Sequence, residues 1–176
     1  LTGKNFAVEI NVANHADLME RIEERFSEKQ GFALATINLD HVTKLEREES
    51  FRAAYGAQDL VVADGNPIVW VSKLAGKPVE LMPGSELVLP LTQLAAQSGV
   101  SIALIGSSDA SLAAAAEALK AAAPGLQIAY IHAPAFGFDP SGDAARAILE
   151  DLNHSGAQLA FLALGAPKQE VLTLRS

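Results

Sequence analysis

The chain of 176 residues has no cysteine, which excludes disulfide bonds and thiolate chemistry. Its four histidines show no ligand spacing, and no Asp-x-Asp pair is present to hold a divalent ion, so no metal site is predicted. The sequence also lacks a P-loop, a G-x-S-x-G nucleophile elbow and the full G-x-G-x-x-G dinucleotide pattern.

Basic residues are scarce: 13 Lys and Arg stand against 21 Asp and Glu, for a net charge of -8. Nucleic-acid binding needs clustered cations, so it is not expected, and an acidic chain does not dock on an anionic membrane by electrostatics alone. No apolar run approaches the length of a membrane span, and no signal peptide is visible.

What the chain does have is a 49% hydrophobic content with only 19% charged residues, enough for a packed core. No linker or repeat divides it, so residues 1–176 are predicted to form a single domain. Apolar runs of strand length alternate with amphipathic segments. This pattern predicts an α/β fold, a Rossmann-like, largely parallel sheet with helices on both faces.

Strands are predicted at residues 32–37, 59–63, 100–105, 126–131 and 157–164, with a short edge strand at 6–12. Asn14 resembles a helix start, and Pro67 suits the first turn of another helix. Further helices are predicted at residues 43–55, 84–98, 111–123 and 143–153. Pro90 is expected to bend the second of these unless it lies near a helix start.

Polar residues at strand ends are the first candidates for a site, because ligands of open α/β sheets bind there. Thr36 and Asn38 offer a hydroxyl and an amide in the exit loop 38–41, and Asp64 with Gly65 closes the next strand. Asp64 could act as a general base if partly desolvated. The alternative interpretation, polar turns without function, remains open for each pair alone.

Two loops later in the chain are further candidates. Gly106 opens Gly106-Ser107-Ser108-Asp109, whose amides could hold an anion, or Asp109 could simply be a helix N-cap. Phe136-Gly137-Phe138 offers aromatic rings that could flank a base or sugar, or cover the sheet.

The segment Gly165-Ala166-Pro167-Lys168-Gln169-Glu170 follows the last predicted strand and is the most informative stretch. A Gly-x-Pro bend there brings a cation and an amide to a strand end. Lys168 could neutralise phosphate, and Gln169 could hydrogen-bond a sugar or base.

Seven segments, in order, resemble the WecG/TagA/CpsF glycosyltransferase family over roughly residues 8–172. They are residues 36–41, 59–65, 83–87, 104–106, 124–126, 136–138 and 165–170. The resemblance implies a cytoplasmic, metal-independent enzyme of bacterial surface-polysaccharide synthesis that needs no cofactor. It would move a hexose or N-acetylhexosamine, typically of the N-acetylmannosamine type, from a UDP-sugar to a polyprenyl-diphosphate-linked saccharide at the inner face of the membrane.

By position, the resemblance implies that Asp64 is the catalytic base, that Thr36 and Asn38 lie near the sugar, and that Gln169 supplies the amide of the last motif. The expected substrate-binding residues, from the loops and the resemblance together, are Thr36, Asn38, Gly106, Gly137, Phe138, Gly165, Lys168 and Gln169. An inverting displacement needs one such carboxylate.

Two features depart from the family. Leu81 stands where members commonly carry an arginine, so Lys168, Lys77 or backbone amides would have to stabilise the leaving diphosphate. Members also continue past the last motif into an arginine-rich tail that engages the membrane, and this chain is expected to lack it.

Three hypotheses follow. The first is a UDP-sugar-dependent transferase with Asp64 as base. The second is a truncated or diverged member that binds nucleotide without turnover, and the third is an unrelated phosphate-binding enzyme using the Gly106 loop. Exposed Trp70 and leucine-rich helix faces would allow homo-oligomers.

Overall fold

A computed structural model describes residues 1–3 and 6–175 of the chain. It divides into two compact units, Leu1–Leu87 and Val88–Ser176. Each unit has its own parallel sheet, and the two are described separately below.

The first unit contains two parallel strands, β1 (Leu34–Ile37) and β2 (Leu60–Ala63). Their register places Leu34 opposite Leu60 and Ile37 opposite Ala63, so both strands end at the same edge of the sheet. Every residue of β2 is buried, as expected for an apolar strand covered on both faces. The two strands predicted here are confirmed, although β1 begins two residues and β2 one residue later than predicted.

The helices of this unit are α1 (His15–Glu28), α2 (Leu39–Arg47), α3 (Glu49–Gly56) and α4 (Asn66–Leu74). The Asn14 side chain accepts a hydrogen bond from the Asp17 amide and caps α1, and Pro67 occupies the first turn of α4. Both predicted helix starts are therefore confirmed.

The helix predicted at residues 43–55 is wrong in its bounds. The structure has two helices there, because Glu48 adopts an extended conformation (φ -115°, ψ 110°) that ends α2 and starts α3. The exit loop predicted at residues 38–41 is wrong as well, since Asn38 is the N-cap of α2 and the helix begins at Leu39.

The edge strand predicted at residues 6–12 does not form. Within the described part of this segment, pairing is limited to an isolated antiparallel bridge between Thr2 and Ala7. The Asn11 side chain instead binds the edge of the sheet: its Nδ2 donates to the Asp59 carbonyl (2.7 Å), and its Oδ1 accepts from the Val61 amide (2.8 Å). A side-chain amide thus takes the place of strand backbone.

Helix α5 (Gly84–Gln97) continues through Pro90 and leads to the second sheet. That sheet contains β3 (Ile102–Gly106), β4 (Ile128–His132) and β5 (Leu159–Ala163), all parallel and in the order β4-β3-β5. The central strand β3 is buried at every position. The remaining helices are α6 (Asp109–Ala122), α7 (Asp143–Ser155) and α8 (Lys168–Thr173).

The α/β class and the parallel pairing predicted from the sequence are confirmed, with the strands shared between two small sheets. Within the part of the chain that the structure describes, no helix combines the length and apolarity needed to cross a bilayer.

Candidate functional site

Three of the predicted site residues of the first unit meet at the ends of β1 and β2. The Thr36 hydroxyl donates to Asp64 Oδ2 at 3.4 Å, and the Asp64 amide donates to the Ile37 carbonyl at 2.8 Å. Thr36, Asn38 and Asp64 are all partly exposed. The Asp64 Oδ1 atom has no hydrogen-bond partner among residues 1–3 and 6–175. This oxygen is therefore free to take a proton from a bound hydroxyl group.

Buried aromatic side chains hold the end of β1 in place. The Thr36 carbonyl accepts from Tyr55 Oη at 2.5 Å and from His41 Nδ1 at 2.8 Å, so His41 carries its proton on Nδ1. The rings of His41, Phe51 and Tyr55 pack edge to face, and all three are buried. His41 is therefore a hydrogen-bonded residue of the core.

Asn38 caps helix α2 through one end of its side-chain amide and leaves the other end without a partner among the described residues. Its Oδ1 accepts from the His41 amide at 3.1 Å and caps α2, while its Nδ2 has no hydrogen-bond partner among the described residues. The cap thus leaves an amide N–H pair available at the strand end. Within α2, Lys44 forms an ion pair with Asp40, one helical turn before it. The hydrogen bond from Lys44 lowers the pKa of the exposed Asp40 carboxyl.

The segment after residue 80 lies over the same strand ends, which sequence reasoning did not anticipate. The Met82 amide donates to the Ala63 carbonyl at 2.7 Å. A Cβ on Gly84 would stand 3.3 Å from Thr36 Cγ2, so Gly84 permits a close approach of backbone to this side chain. The Pro83-Gly84 pair was the sequence feature that could have indicated this segment, and in the structure Gly84 lies next to Thr36.

An open cleft of about 570 Å³ borders this region of the first unit. Its walls combine apolar side chains with one cation and one anion, Lys73 and Glu80. Leu81, 38% exposed, lines the cleft where the family resemblance places an arginine. The lining residues are Ala13, Asn14, Asn66, Val69, Lys73, Pro78, Val79, Glu80 and Leu81.

In the second unit, two predicted loops lie at the ends of neighbouring strands. Gly106 pairs with Ala163 in the register of β3 and β5, and the Ser107 amide donates to the Ala163 carbonyl at 3.1 Å. Two residues further, the Gly165 amide donates to Gln169 Oε1 at 3.2 Å. Gly106, Gly165 and Gln169 therefore share one edge of this sheet.

The last motif places a buried carboxylate beside its amide. Gln169 Nε2 donates to Glu170 Oε1 at 3.1 Å, and Glu170 is only 3% exposed. The Glu170 Oε2 atom is buried with no partner among the described residues. Lys168 is partly exposed and makes no ion pair with any described side chain, so its charge is available to an anion. Sequence reasoning did not single out Glu170.

The aromatic loop separates its two rings. Phe138 is 9% exposed and belongs to a core cluster with Ile105, Ala145, Ile148 and Leu172, whereas the Phe136 side chain is fully exposed. Gly137 between them has φ +81°. The exposed ring of this loop is thus Phe136, while the role predicted for Phe138 stays a prediction.

The helix cap predicted at Asp109 is wrong by one residue. Ser108 is the N-cap of α6, with its Oγ accepting from the Ser111 amide at 3.3 Å. Asp109 is the first helical residue, and its negative charge there interacts favourably with the positive end of the helix dipole. Throughout residues 1–3 and 6–175, no three histidine or acidic side chains gather closely enough to hold a metal ion.

Comparison with known proteins supports the pattern of motifs. The chain is similar to an N-acetylglucosaminyldiphosphoundecaprenol N-acetyl-beta-D-mannosaminyltransferase of Bacillus spizizenii, with 27% identity over 145 residues. The match covers 81% of this chain and 54% of that relative, so the chain spans about half the relative's length. The model of the glycosyl transferase WecG/TagA/CpsF family matches residues 4–176. With strand-end motifs and a family match over nearly its whole length, the chain belongs to the WecG/TagA/CpsF family of glycosyltransferases.

Proposed function

We propose that this chain carries out glycosyl transfer in bacterial cell-surface polysaccharide synthesis. The donor would be a UDP-sugar, with a hexose or an N-acetylhexosamine of the N-acetylmannosamine type. The acceptor would be a polyprenyl-diphosphate-linked saccharide at the cytoplasmic face of the membrane. Support comes from the family match and from the Bacillus relative, whose name describes transfer of N-acetylmannosamine to a lipid-diphosphate-linked N-acetylglucosamine.

The observation that carries the proposal is the position of Asp64. Its carboxylate lies at the end of β2, partly exposed, with Oδ2 held by Thr36 and Oδ1 without a partner among the described residues. A carboxylate fixed through one oxygen and open at the other can accept a proton along a defined direction. An acceptor hydroxyl group needs such a base to take its proton as its oxygen attacks the sugar.

The proposed reaction is a single inverting displacement. The acceptor oxygen forms a bond to the anomeric carbon as its proton passes to Asp64, and the bond from that carbon to UDP breaks with its electron pair leaving on the diphosphate. Asn38 Nδ2 is the group we assign to the sugar, because its Oδ1 is occupied by the helix cap.

For the second unit, the proposal assigns the donor nucleotide to residues at the ends of β3 and β5. Lys168 would stabilise the developing charge on the leaving diphosphate. Gly106 and Gly165 would allow backbone amides to approach it, while Gln169 would hydrogen-bond the nucleotide. Gly137 and Phe138 keep the binding role predicted from their place in the aromatic loop.

The test is release of UDP from a UDP-hexosamine, with and without a short-chain lipid-diphosphate saccharide. Asp64→Asn keeps the hydrogen bond from Thr36 but cannot take a proton, so transfer should fall about 100- to 10,000-fold. Asp143→Asn, an exposed carboxylate at the start of α7, is the matched control and should retain activity. Full activity in Asp64→Asn would refute the base assignment, and absence of any release by the unaltered chain would refute the transferase proposal.

One observation favours a second candidate, a diverged member that binds nucleotide without turnover. Leu81 exposes an apolar side chain in the cleft where the family resemblance places an arginine. Calorimetry that detects UDP binding to a chain that transfers no sugar would support this candidate. The family match excludes the reading as an unrelated phosphate-binding enzyme.

A further inference from the structure

Helix α4 presents an apolar face to solvent. Pro67, Trp70, Val71 and Leu74 follow the i, i+3, i+4, i+7 spacing that places residues on one side of a helix. Trp70 is 61% exposed, Val71 50% and Leu74 89%, while Ile68 and Val69 on the other side are buried. We call these four residues the α4 outer face. Single exposed apolar residues are ordinary, but a contiguous stripe on one helix marks an interaction surface.

The charge around this face differs from that of the chain. Residues 65–79 contain Lys73 and Lys77 and no Asp or Glu, although the whole chain has a net charge of -8. Both lysines are exposed, and neither forms an ion pair with any side chain in the described ranges. The nearest acid that follows, Glu80, accepts a hydrogen bond from the His15 amide at 2.9 Å. The segment is therefore apolar and locally basic.

We propose that the α4 outer face docks on the surface of an anionic lipid bilayer. Trp70 and Leu74 would lie at the level of the headgroups, with Lys73 and Lys77 against lipid phosphates. A tryptophan with neighbouring aliphatic residues and flanking lysines is the composition of interfacial helices. A second copy of the chain complements this surface less well, because a symmetric contact would bring four lysine charges together.

Docking through this face would orient the proposed active site toward the membrane. This orientation rests on the proposed function. Helix α4 begins at Asn66, two residues after Asp64. A bilayer held by this helix would bring the strand end of β2 to the surface where a lipid-linked acceptor is anchored. The chain's overall negative charge opposes such docking, and the exposed apolar side chains supply the attraction that electrostatics alone does not.

Trp70 is the only tryptophan of the chain, so its fluorescence reports on this face alone. The experiment titrates the protein, without any sugar nucleotide, with vesicles of phosphatidylglycerol and phosphatidylcholine, and then with phosphatidylcholine alone. We expect a blue shift of the emission with the anionic vesicles, reduced by added salt. The double variant Lys73→Gln/Lys77→Gln should bind about 30-fold more weakly, at about 1 kcal/mol per lysine.

A matched pair of apolar variants tests the face itself. Leu74→Glu should abolish the shift, while Leu89→Glu, at another exposed leucine on α5, should leave it unchanged. Circular dichroism checks that both variants fold. An absent shift with anionic vesicles, or equal shifts in Leu74→Glu and the unaltered chain, would overturn the proposal. A shift that depends on protein concentration without lipid would also overturn it and would assign the face to a second copy. Vesicle binding is measured without turnover, so its failure is distinct from failure of the transferase proposal.

Discussion

At the scale of single residues, the site depends on backbone conformations that side chains would disturb. Gly106 ends β3 with φ +121°, and a Cβ there would overlap the Ala163 backbone of β5. The strand-end motif therefore requires glycine for two reasons, conformation and space. The same reasoning does not extend to Gly31, where a Cβ would meet open space.

We therefore expect Gly106→Ala to lower the free energy of unfolding by about 2–4 kcal/mol, because the left-handed conformation and the overlap with Ala163 both oppose a side chain. Gly31→Ala should change it by less than about 1 kcal/mol in either direction. Urea denaturation followed by circular dichroism measures both. Equal midpoints for the two variants would contradict the overlap.

We expect opposite effects on stability when the hydroxyl groups of the two tyrosines are removed. Tyr55 Oη donates to the Thr36 carbonyl, whereas Tyr130 Oη is buried with no partner among the described residues. Tyr55→Phe should cost about 1 kcal/mol of stability. Tyr130→Phe should be neutral or stabilising, because it removes a polar group that burial leaves unsatisfied. Denaturant midpoints at neutral pH would distinguish them, and a larger loss in Tyr130→Phe would contradict the assignment.

Tyr130 also makes stability depend on alkaline pH. Burial, and secondarily the charge of Asp151, raise the pKa of Tyr130 above its ordinary value of 10.0. The folded state holds this proton more tightly than the unfolded state. The free energy of unfolding is therefore unaffected by this titration below the unfolded pKa and falls as pH rises through the folded pKa. We expect Tyr130→Phe to reduce the loss of stability above pH 10. Tyrosinate absorbance in Tyr55→Phe would report the titration of Tyr130 alone.

At the scale of secondary-structure elements, a side chain makes hydrogen bonds that the sequence pattern assigned to the backbone of a strand. The segment predicted as an edge strand is joined to β2 by the Asn11 side chain, which satisfies both the Asp59 carbonyl and the Val61 amide. Asn11→Ala should therefore lower the free energy of unfolding by about 1–3 kcal/mol, since it leaves the amide of a buried residue unpaired.

Asn11→Asp is the matched control for this contact. It keeps an acceptor for the Val61 amide but sets a carboxylate oxygen against the Asp59 carbonyl, so the Val61 amide should stay protected from exchange although stability falls. Urea midpoints and hydrogen exchange of the Val61 amide measure the difference. An Asn11→Ala protein with unchanged exchange at Val61 would show that the contact does not protect the strand.

Helix bounds show why local patterns were only partly sufficient. The starts at Asn14 and Pro67 were predicted because capping chemistry is local. The division of residues 43–55 was missed, because the extended conformation of Glu48 has no strong signal in residue type. The start of α2 was missed for a different reason, since an asparagine after a strand fits a turn as well as a cap.

At the scale of the whole molecule, ligand binding should appear as stability. If the chain binds UDP, free UDP at about 100 times its dissociation constant adds about 2.7 kcal/mol of stability. For a chain of this length that corresponds to about 5–10 °C in the unfolding temperature. Differential scanning fluorimetry measures it. Asp64→Asn should show the same shift, because the proposed base does not hold the nucleotide.

Inorganic pyrophosphate is the control for this measurement. A shift with pyrophosphate as large as that with UDP would indicate recognition of phosphate alone and would contradict a role for Gln169 in binding the nucleotide. No shift at saturating UDP would count against both the transferase and the non-catalytic nucleotide-binding candidate.

The sequence by itself determined the α/β class, the parallel strands and the strand ends where polar residues gather, because hydrophobic period and capping chemistry are local properties. Tertiary structure alone decided which groups meet. It paired Thr36 with Asp64, set His41 and Tyr55 on one carbonyl, buried Phe138 and Glu170, and left the α4 outer face uncovered. These outcomes depend on contacts between residues far apart in the chain, and the space and exposure that such contacts create are not encoded in any short stretch of sequence.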